Sequence, residues 1–269
     1  MHKRKSRCTR HVGAIVLMTV LFLGGLALLL YPYVRGAIVD RRIASNAESF
    51  LSWAETLSFD HPSEPDKTSD SILSEGIVSE ETESERSYAD LWDDMVAYNQ
   101  SIYDQGQAGL TCEYAYQKPS FLLCAYGLQD ETFGVISIPA MDLEMPIFLG
   151  ATPQHMAEGV AQLSQTSLPI GGPNTNCVIA GHRGYLGARY FRHIDKLREG
   201  DYVTITNLWE TLTYRVVETK IIYPHEVEQI LIQDGRELLT LLTCHPYASG
   251  GKQRYLVFCE RVAKTPDDN

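Results

Sequence analysis

Residues 238–262 read LLTLLTCHPYASGGKQRYLVFCERV. Two apolar, β-rich runs, Leu238–Cys244 and Tyr255–Val262, flank a loop containing Gly250 and Gly251. Pro246 closes the first run, because proline has no N–H to give to a ladder. The pattern predicts an antiparallel hairpin, and pairing across it brings Arg254, ten residues on, near Cys244. A strand end at a sheet rim exposes its last side chain while the strand fixes its position, so Cys244 is the candidate reactive thiol. Cys177 and Cys259 lie inside apolar runs, NCVIAG and YLVFCERV, and read as small core residues.

Similar short runs extend upstream from this hairpin: Phe133–Ile138, Met145–Leu149, Cys177–Ala180, Tyr202–Ile205 and Leu212–Tyr223. Two helical pieces fit between them, near Gln154–Val160 and Tyr190–Lys196. Seven or eight short strands with few helices predict a mainly β fold, a closed or nearly closed barrel that protects its strand edges. Upstream again, Tyr88–Tyr103 has helical spacing, with Leu91, Met95, Tyr98 and Ile102 on one stripe that reads as packing against the barrel. Gly106–Leu128 is irregular.

The amino terminus has a different texture. Val12–Leu30 is an uncharged run of 19 residues, long enough to cross a hydrocarbon core of about 30 Å. Lys3, Arg4, Lys5, Arg7 and Arg10 precede it, the charge bias of a cytoplasmic flank. A cleaved signal peptide is the competing reading. Against it, the run exceeds a signal core of roughly 7–15 residues, and Tyr31-Pro32-Tyr33 stands where a small-x-small site belongs. The anchor reading places membrane lipid around residues 12–30, the basic tail in the cytoplasm and the chain after the anchor outside the cell. Ala37–Leu57 then reads as a juxtamembrane helix. Asp60–Arg86, rich in Ser, Glu and Asp, reads as an extended spacer that cannot bury enough apolar surface to order itself.

The net charge of −11 gives no basic face and excludes nucleic acid as a partner class. Between Asp60 and Asp90, ten acidic residues stand against two basic ones, so most of the excess lies in the spacer. The six cysteines form neither a disulfide scaffold nor a CxxC metal pair. Cys112 and Cys124 are spaced to bridge a short loop, or to remain two separate thiols. No cofactor or metal is implied.

A thiol nucleophile needs a base. Ala180-Gly181-His182-Arg183-Gly184 follows a predicted strand, with glycines that permit unusual backbone angles on both sides of the His-Arg pair. His182 is therefore the candidate for proton transfer. His155, His193 and His225 have no comparable setting. His245 adjoins the cysteine, but adjacent strand residues point to opposite faces, which disfavours direct pairing. Acyl transfer also needs a group for the developing oxyanion, and Arg254 is the candidate.

These residues resemble the signature of the sortases, Gram-positive cell-surface cysteine transpeptidases. The motif Thr-Leu-x-Thr-Cys stands complete as Thr240-Leu241-Leu242-Thr243-Cys244, the histidine motif as Gly181-His182-Arg183-Gly184, and the arginine as Arg254 in RYLV. Phe133–Pro139, Thr166–Gly172 and the stretch Phe191 to Asp201 are also similar, so the resemblance covers about 131–262. Thr166-Ser167-Leu168-Pro169-Ile170-Gly171-Gly172, the Cys244-His245-Pro246-Tyr247 ending and Tyr31-Pro32 look most like class C, the pilin-polymerising sortases. Three features depart from that class. No Asp-Pro-aromatic lid motif occurs, the tail through Asn269 is polar where many members carry a second membrane helix, and His245 replaces a commoner threonine.

The resemblance implies a sortase-type eight-stranded β-barrel over 131–263. Residues 1–35 would form a basic tail and anchor, 36–130 a juxtamembrane helix, spacer and pre-barrel helix, and 264–269 a polar tail. It implies catalysis by Cys244, His182 and Arg254 on a surface protein or pilin with an LPxTG-like sorting signal. The acceptor is an amine, either a pilin lysine or, in a housekeeping or class B enzyme, a cell-wall peptide. A non-catalytic, sortase-like scaffold is the alternative of a different class. Some sortases bind calcium, but no compact acidic loop in 131–262 calls for it.

Overall fold

The computed structural model describes residues 3–56, 88–110, 115–128 and 131–263. The predicted spacer, Cys112 and the tail 264–269 lie outside these residues. Eight strands form one closed barrel: β1 (Thr132–Ile138), β2 (Leu143–Leu149), β3 (Val160–Gln162), β4 (Thr175–Ala180), β5 (Tyr202–Thr206), β6 (Thr211–Ile222), β7 (Glu237–His245) and β8 (Gln253–Arg261). Around the barrel they run β1-β2-β3-β4-β7-β8-β6-β5, and β5 pairs back onto β1. The β2–β3 and β4–β7 pairs are parallel and the others antiparallel. The mainly β barrel expected from the sequence is thus present.

Alternation along the strands sorts the apolar side chains into separate layers. Leu239 and Leu241 of β7, with Val257 and Cys259 of β8 and Cys177 and Ile179 of β4, fill the barrel interior. Their neighbours Val178, Ala180, Leu242, Leu256 and Phe258 point outward and lie under Leu110, Leu163, Ile222 and Ile230. Cys177 and Cys259 are thus the core residues the sequence suggests, and burial pushes both thiols far above the ordinary range. Cys124 is a free, exposed thiol.

Among the described residues three α-helices accompany the barrel: α1 (Lys3–Thr56), α2 (Tyr88–Asp104) and α3 (Pro153–Glu158). The juxtamembrane helix is no separate element, because α1 runs unbroken from the apolar segment through Pro32 to Thr56. From Ile15 to Leu30 its side chains are exposed; from Ile43 onward it buries Ile43, Ala47 and Phe50, spaced i, i+4, i+7 as one helical face. Ala47 and Phe50 meet Leu91 and Met95 of α2 over Phe133 and Val135 of β1. The helix expected at Gln154–Val160 ends at Glu158, and Val160 opens β3. A strand of three residues is too short to show a period of two, which is why no sequence pattern marks it.

Where α1 leaves its exposed stretch it crosses the turn between β4 and residue 190. A Cβ added to Gly36 would lie 2.5 Å from the carbonyl of Gly187, and one added to Gly187 would lie 2.3 Å from the carbonyl oxygen of Pro32. Only two glycines let the backbones approach this closely. The Arg189 amide donates to Asp40 Oδ1 at 3.0 Å, one helical turn further along.

Candidate functional site

The site sits where β4, β7 and β8 end together. Cys244 pairs with Arg254 in the β7–β8 ladder, as the hairpin predicts. Directly paired residues share a face, with Cβ atoms about 4.5–5.5 Å apart. That face is the outer one, carrying Leu242 and Leu256, so it leads out of the core. Cys244 is exposed there. Arg254 Nη1 donates to the carbonyls of Gly251, at 2.7 Å, and Gln253, at 3.2 Å, which folds the side chain back over the loop. Gly251 separates the two functional groups: a Cβ added to it would lie 3.3 Å from Cys244 Sγ and 3.2 Å from Arg254 Nη1. Its φ of +79° independently favours glycine.

His182 arrives from the other neighbour of β7. In the parallel β4–β7 pair, Ala180 lies opposite Leu242. The contact continues past the strand end, where Gly181 N donates to Leu242 O at 3.0 Å and Thr243 Oγ1 to Gly181 O at 2.7 Å. Carrying the same register two residues on sets His182 level with Cys244. Beyond the end of β4 the aromatic contacts of the turn, not strand parity, set the direction of its ring. Tyr185 stacks on the imidazole, with centroids 4.4 Å apart, and Tyr190 meets it edge-on at 5.7 Å. Burial keeps the His182 pKa below the ordinary value, so the resting ring is neutral at pH 7. Burial pushes the Tyr190 hydroxyl up to about 12, and it remains a donor to the carbonyl of Ala157 at 2.7 Å.

The structure therefore gathers Cys244, Arg254 and His182 at one rim. It also gathers two residues to which the sequence assigns no role. Arg183 and His245, each immediately after a candidate residue, meet with Nη1 and Nδ1 2.7 Å apart. Strand parity disfavours pairing of His245 with the thiol, and its ring indeed turns to Arg183. A signal for this contact exists, in that residues 183 and 245 extend the same parallel register. Side-chain direction beyond a strand end does not follow the period of two, however, so the signal does not single the pair out. His155, read as structural, is buried between Gly150 O and Glu131, and stacks on Phe148. Among the described residues no group of three His, Cys, Asp or Glu side chains is placed to hold a metal ion.

An exposed thiol, a neutral imidazole and a guanidinium at one rim can perform nucleophilic acyl transfer, with the ring moving protons and the cation facing developing negative charge. Comparison with known proteins bears on this chemistry. Residues 136–262 match the family described as the sortase domain. The chain is 30% identical over 131 residues to Sortase D of Bacillus subtilis (strain 168), covering 48% of this chain and 63% of that protein. It is 30% identical over 115 residues to Sortase A of Streptococcus agalactiae serotype III, covering 41% of this chain and 46% of that protein. The match thus spans about half to three fifths of these relatives' own lengths. Among solved structures, sortase C from Clostridium perfringens SM101 aligns at 30% identity and a TM-score of 0.53, covering 65% of this chain and 89% of that one. Sortase C1 of Pilus Island 1 from group B Streptococcus aligns at 32% and 0.57, covering 65% and 88%.

Proposed function

The chain belongs to the sortase family, and from that premise we propose that it is a membrane-anchored cysteine transpeptidase of the pilin-polymerising type. The observation that supports this reading is the pairing of Cys244 with Arg254 at the end of β7, with the turn that bears His182 tied by backbone contacts to the same strand end. The substrate is a surface protein with an LPxTG-like sorting signal. Neutral His182 takes the proton of Cys244, and Sγ attacks the carbonyl carbon of the Thr–Gly bond. Arg254 faces the resulting oxyanion. His182 returns the proton to the departing glycine amine, leaving a thioester on Cys244. An amine then attacks the thioester and gives its proton to His182; the expelled thiolate takes that proton back, so the original amide is exchanged for a new one without ATP and the enzyme is restored.

The acceptor is a pilin lysine. Support for this comes from structural neighbours that are sortases of class C, one of them from a pilus island. The anchor is the apolar start of α1, where the most apolar 18-residue window has a mean hydropathy of 2.3 and is unburied. Its amino terminus lies in the cytoplasm, as the flanking Lys and Arg residues argue.

Mass spectrometry of the enzyme with a sorting peptide tests the mechanism. Wild-type protein is expected to carry a thioacyl adduct on Cys244, and Cys244→Ala to form none and leave the peptide intact. Cleavage by Cys244→Ala would overturn the assignment. Product analysis with a lysine-bearing pilin peptide against a cell-wall peptide decides the acceptor. A non-catalytic scaffold would give no adduct with wild-type protein at all.

A further inference from the structure

The β4–β7 ladder ends in two backbone-linked steps, Gly181 to Leu242 and Thr243 to Gly181. Beyond them, the segments bearing His182 and Cys244 are joined by a side-chain bridge. Arg183 is 8% exposed and its guanidinium is held at three points. Nη1 meets His245 Nδ1 at 2.7 Å, Nη2 meets Asp195 Oδ2 at 3.3 Å, and Cζ lies 5.5 Å from the ring centre of Tyr255 on β8. Tyr255 also packs on His245, with centroids 5.7 Å apart. An arginine has no acceptor, so Nδ1 of His245 must be the acceptor, and the ring must be neutral with its proton on Nε2.

We propose that Arg183 is a positioning residue that ties the His182 turn to the end of β7 through the neutral imidazole of His245, setting the alignment of His182 with Cys244. The bridge does not touch substrate. It fixes two backbone segments, each one residue away from a group that must meet the other. A misplacement of about 1 Å at such a pair can cost on the order of 10²-fold in rate. The bridge is also sensitive to protons, because a protonated Nδ1 cannot accept from Arg183. The charged and titratable groups facing His245 are Arg183 from the β4 turn, Asp195 from the 190–196 helical turn, and Tyr255 from β8. Burial and the Arg183 charge hold the His245 pKa below its ordinary value, and Asp195 opposes them.

The inference rests on the transpeptidase reading, and its test separates the two. kcat and KM are measured across pH with a sorting peptide for wild type, Arg183→Ala, His245→Leu, His245→Asn and the Arg183→Ala/His245→Leu pair. Arg183→Ala and His245→Leu are each expected to lower kcat about 10- to 100-fold with KM little moved, and the double variant to be no worse than either, since coupled residues are non-additive. Asparagine offers an oxygen near the Nδ1 position without titrating. His245→Asn should therefore recover most of kcat and move the acid limb of the profile to lower pH. Multiplying effects, a loss confined to KM, or a His245→Asn as damaged as His245→Leu would overturn the bridge. Alkylation of Cys244 by iodoacetamide needs no peptide. If wild type cleaves nothing, yet its alkylation profile shifts alike in both single variants, the bridge stands and the transpeptidase reading falls. If neither single variant shifts that profile, the bridge falls whether or not peptide is cleaved.

Discussion

The two ends of the β7–β8 hairpin use the same ingredients to opposite effect. At the end away from the loop, Arg261 lies 3.7 Å from both Glu210 and Glu237, its guanidinium sits 5.7 Å from the ring centre of Tyr214, and the Tyr214 hydroxyl donates to Glu237 at 3.3 Å. At the loop end, Arg183 again lies beside a tyrosine ring, but one of its partners is a neutral histidine, and a thiol and a second arginine stand nearby. Carboxylates accept from arginine throughout the neutral range and hold one arrangement. An imidazole accepts only while it is unprotonated. The strands are the same; the choice of acceptor separates a clasp from a site that can move protons.

Breaking each end should therefore read out differently. The largest effect is expected at Arg254. Replacement by Ala should lower kcat about 10²- to 10³-fold, the cost of losing one oxyanion donor, while the melting temperature changes little. Lysine should recover only part of this, because it lacks the fork of donors. Steady-state kinetics beside thermal melts checks both. At the opposite end, Glu237→Gln should cost roughly 1 kcal/mol of stability, since it weakens partly exposed ionic contacts and one hydrogen bond, and should leave kcat/KM nearly unchanged. A large loss of activity from Glu237→Gln would erase the contrast between the ends.

The smallest effect concerns pH. His182 and His245 both have folded pKa values below the ordinary one. As pH falls through about 6.5, the unfolded chain takes up protons that the folded one refuses, so acidification lowers stability. Melting temperature should fall between pH 7.5 and 5.5 and fall less steeply in a His182→Ala/His245→Asn variant. An equal slope in that variant would place the acid sensitivity elsewhere.

Much of this site is legible in the amino-acid sequence. The hairpin through Gly250 and Gly251 announces the Cys244–Arg254 pairing, because two apolar runs and a glycine loop leave few other arrangements. The glycine-flanked His182 stands out for similar reasons. The Arg183–His245 bridge does not, since both residues lie where strand periodicity stops and tertiary contact decides direction. Anchor and juxtamembrane helix read as two elements because their textures differ, apolar on one side and amphipathic on the other; α1 runs through both, Pro32 included, without a break. Val160 reads as the end of a helical run, although it opens the short strand on which closure of the barrel depends.

The crossing of Gly36 and Gly187 acts as a ruler. Six residues of helix, about 9 Å, separate Leu30 from Gly36, and Gly187 is only five residues beyond His182. Were Val12–Leu30 to lie in a bilayer, as proposed, the backbone contact between α1 and the turn after His182 would stand about 9 Å of helix from its edge. On the proposed function, a sorting signal on a chain rooted in the same bilayer would lie at that level, and the same motif high on a folded surface protein would lie above it. Recognition would then depend on the height at which the signal is presented as well as on its sequence.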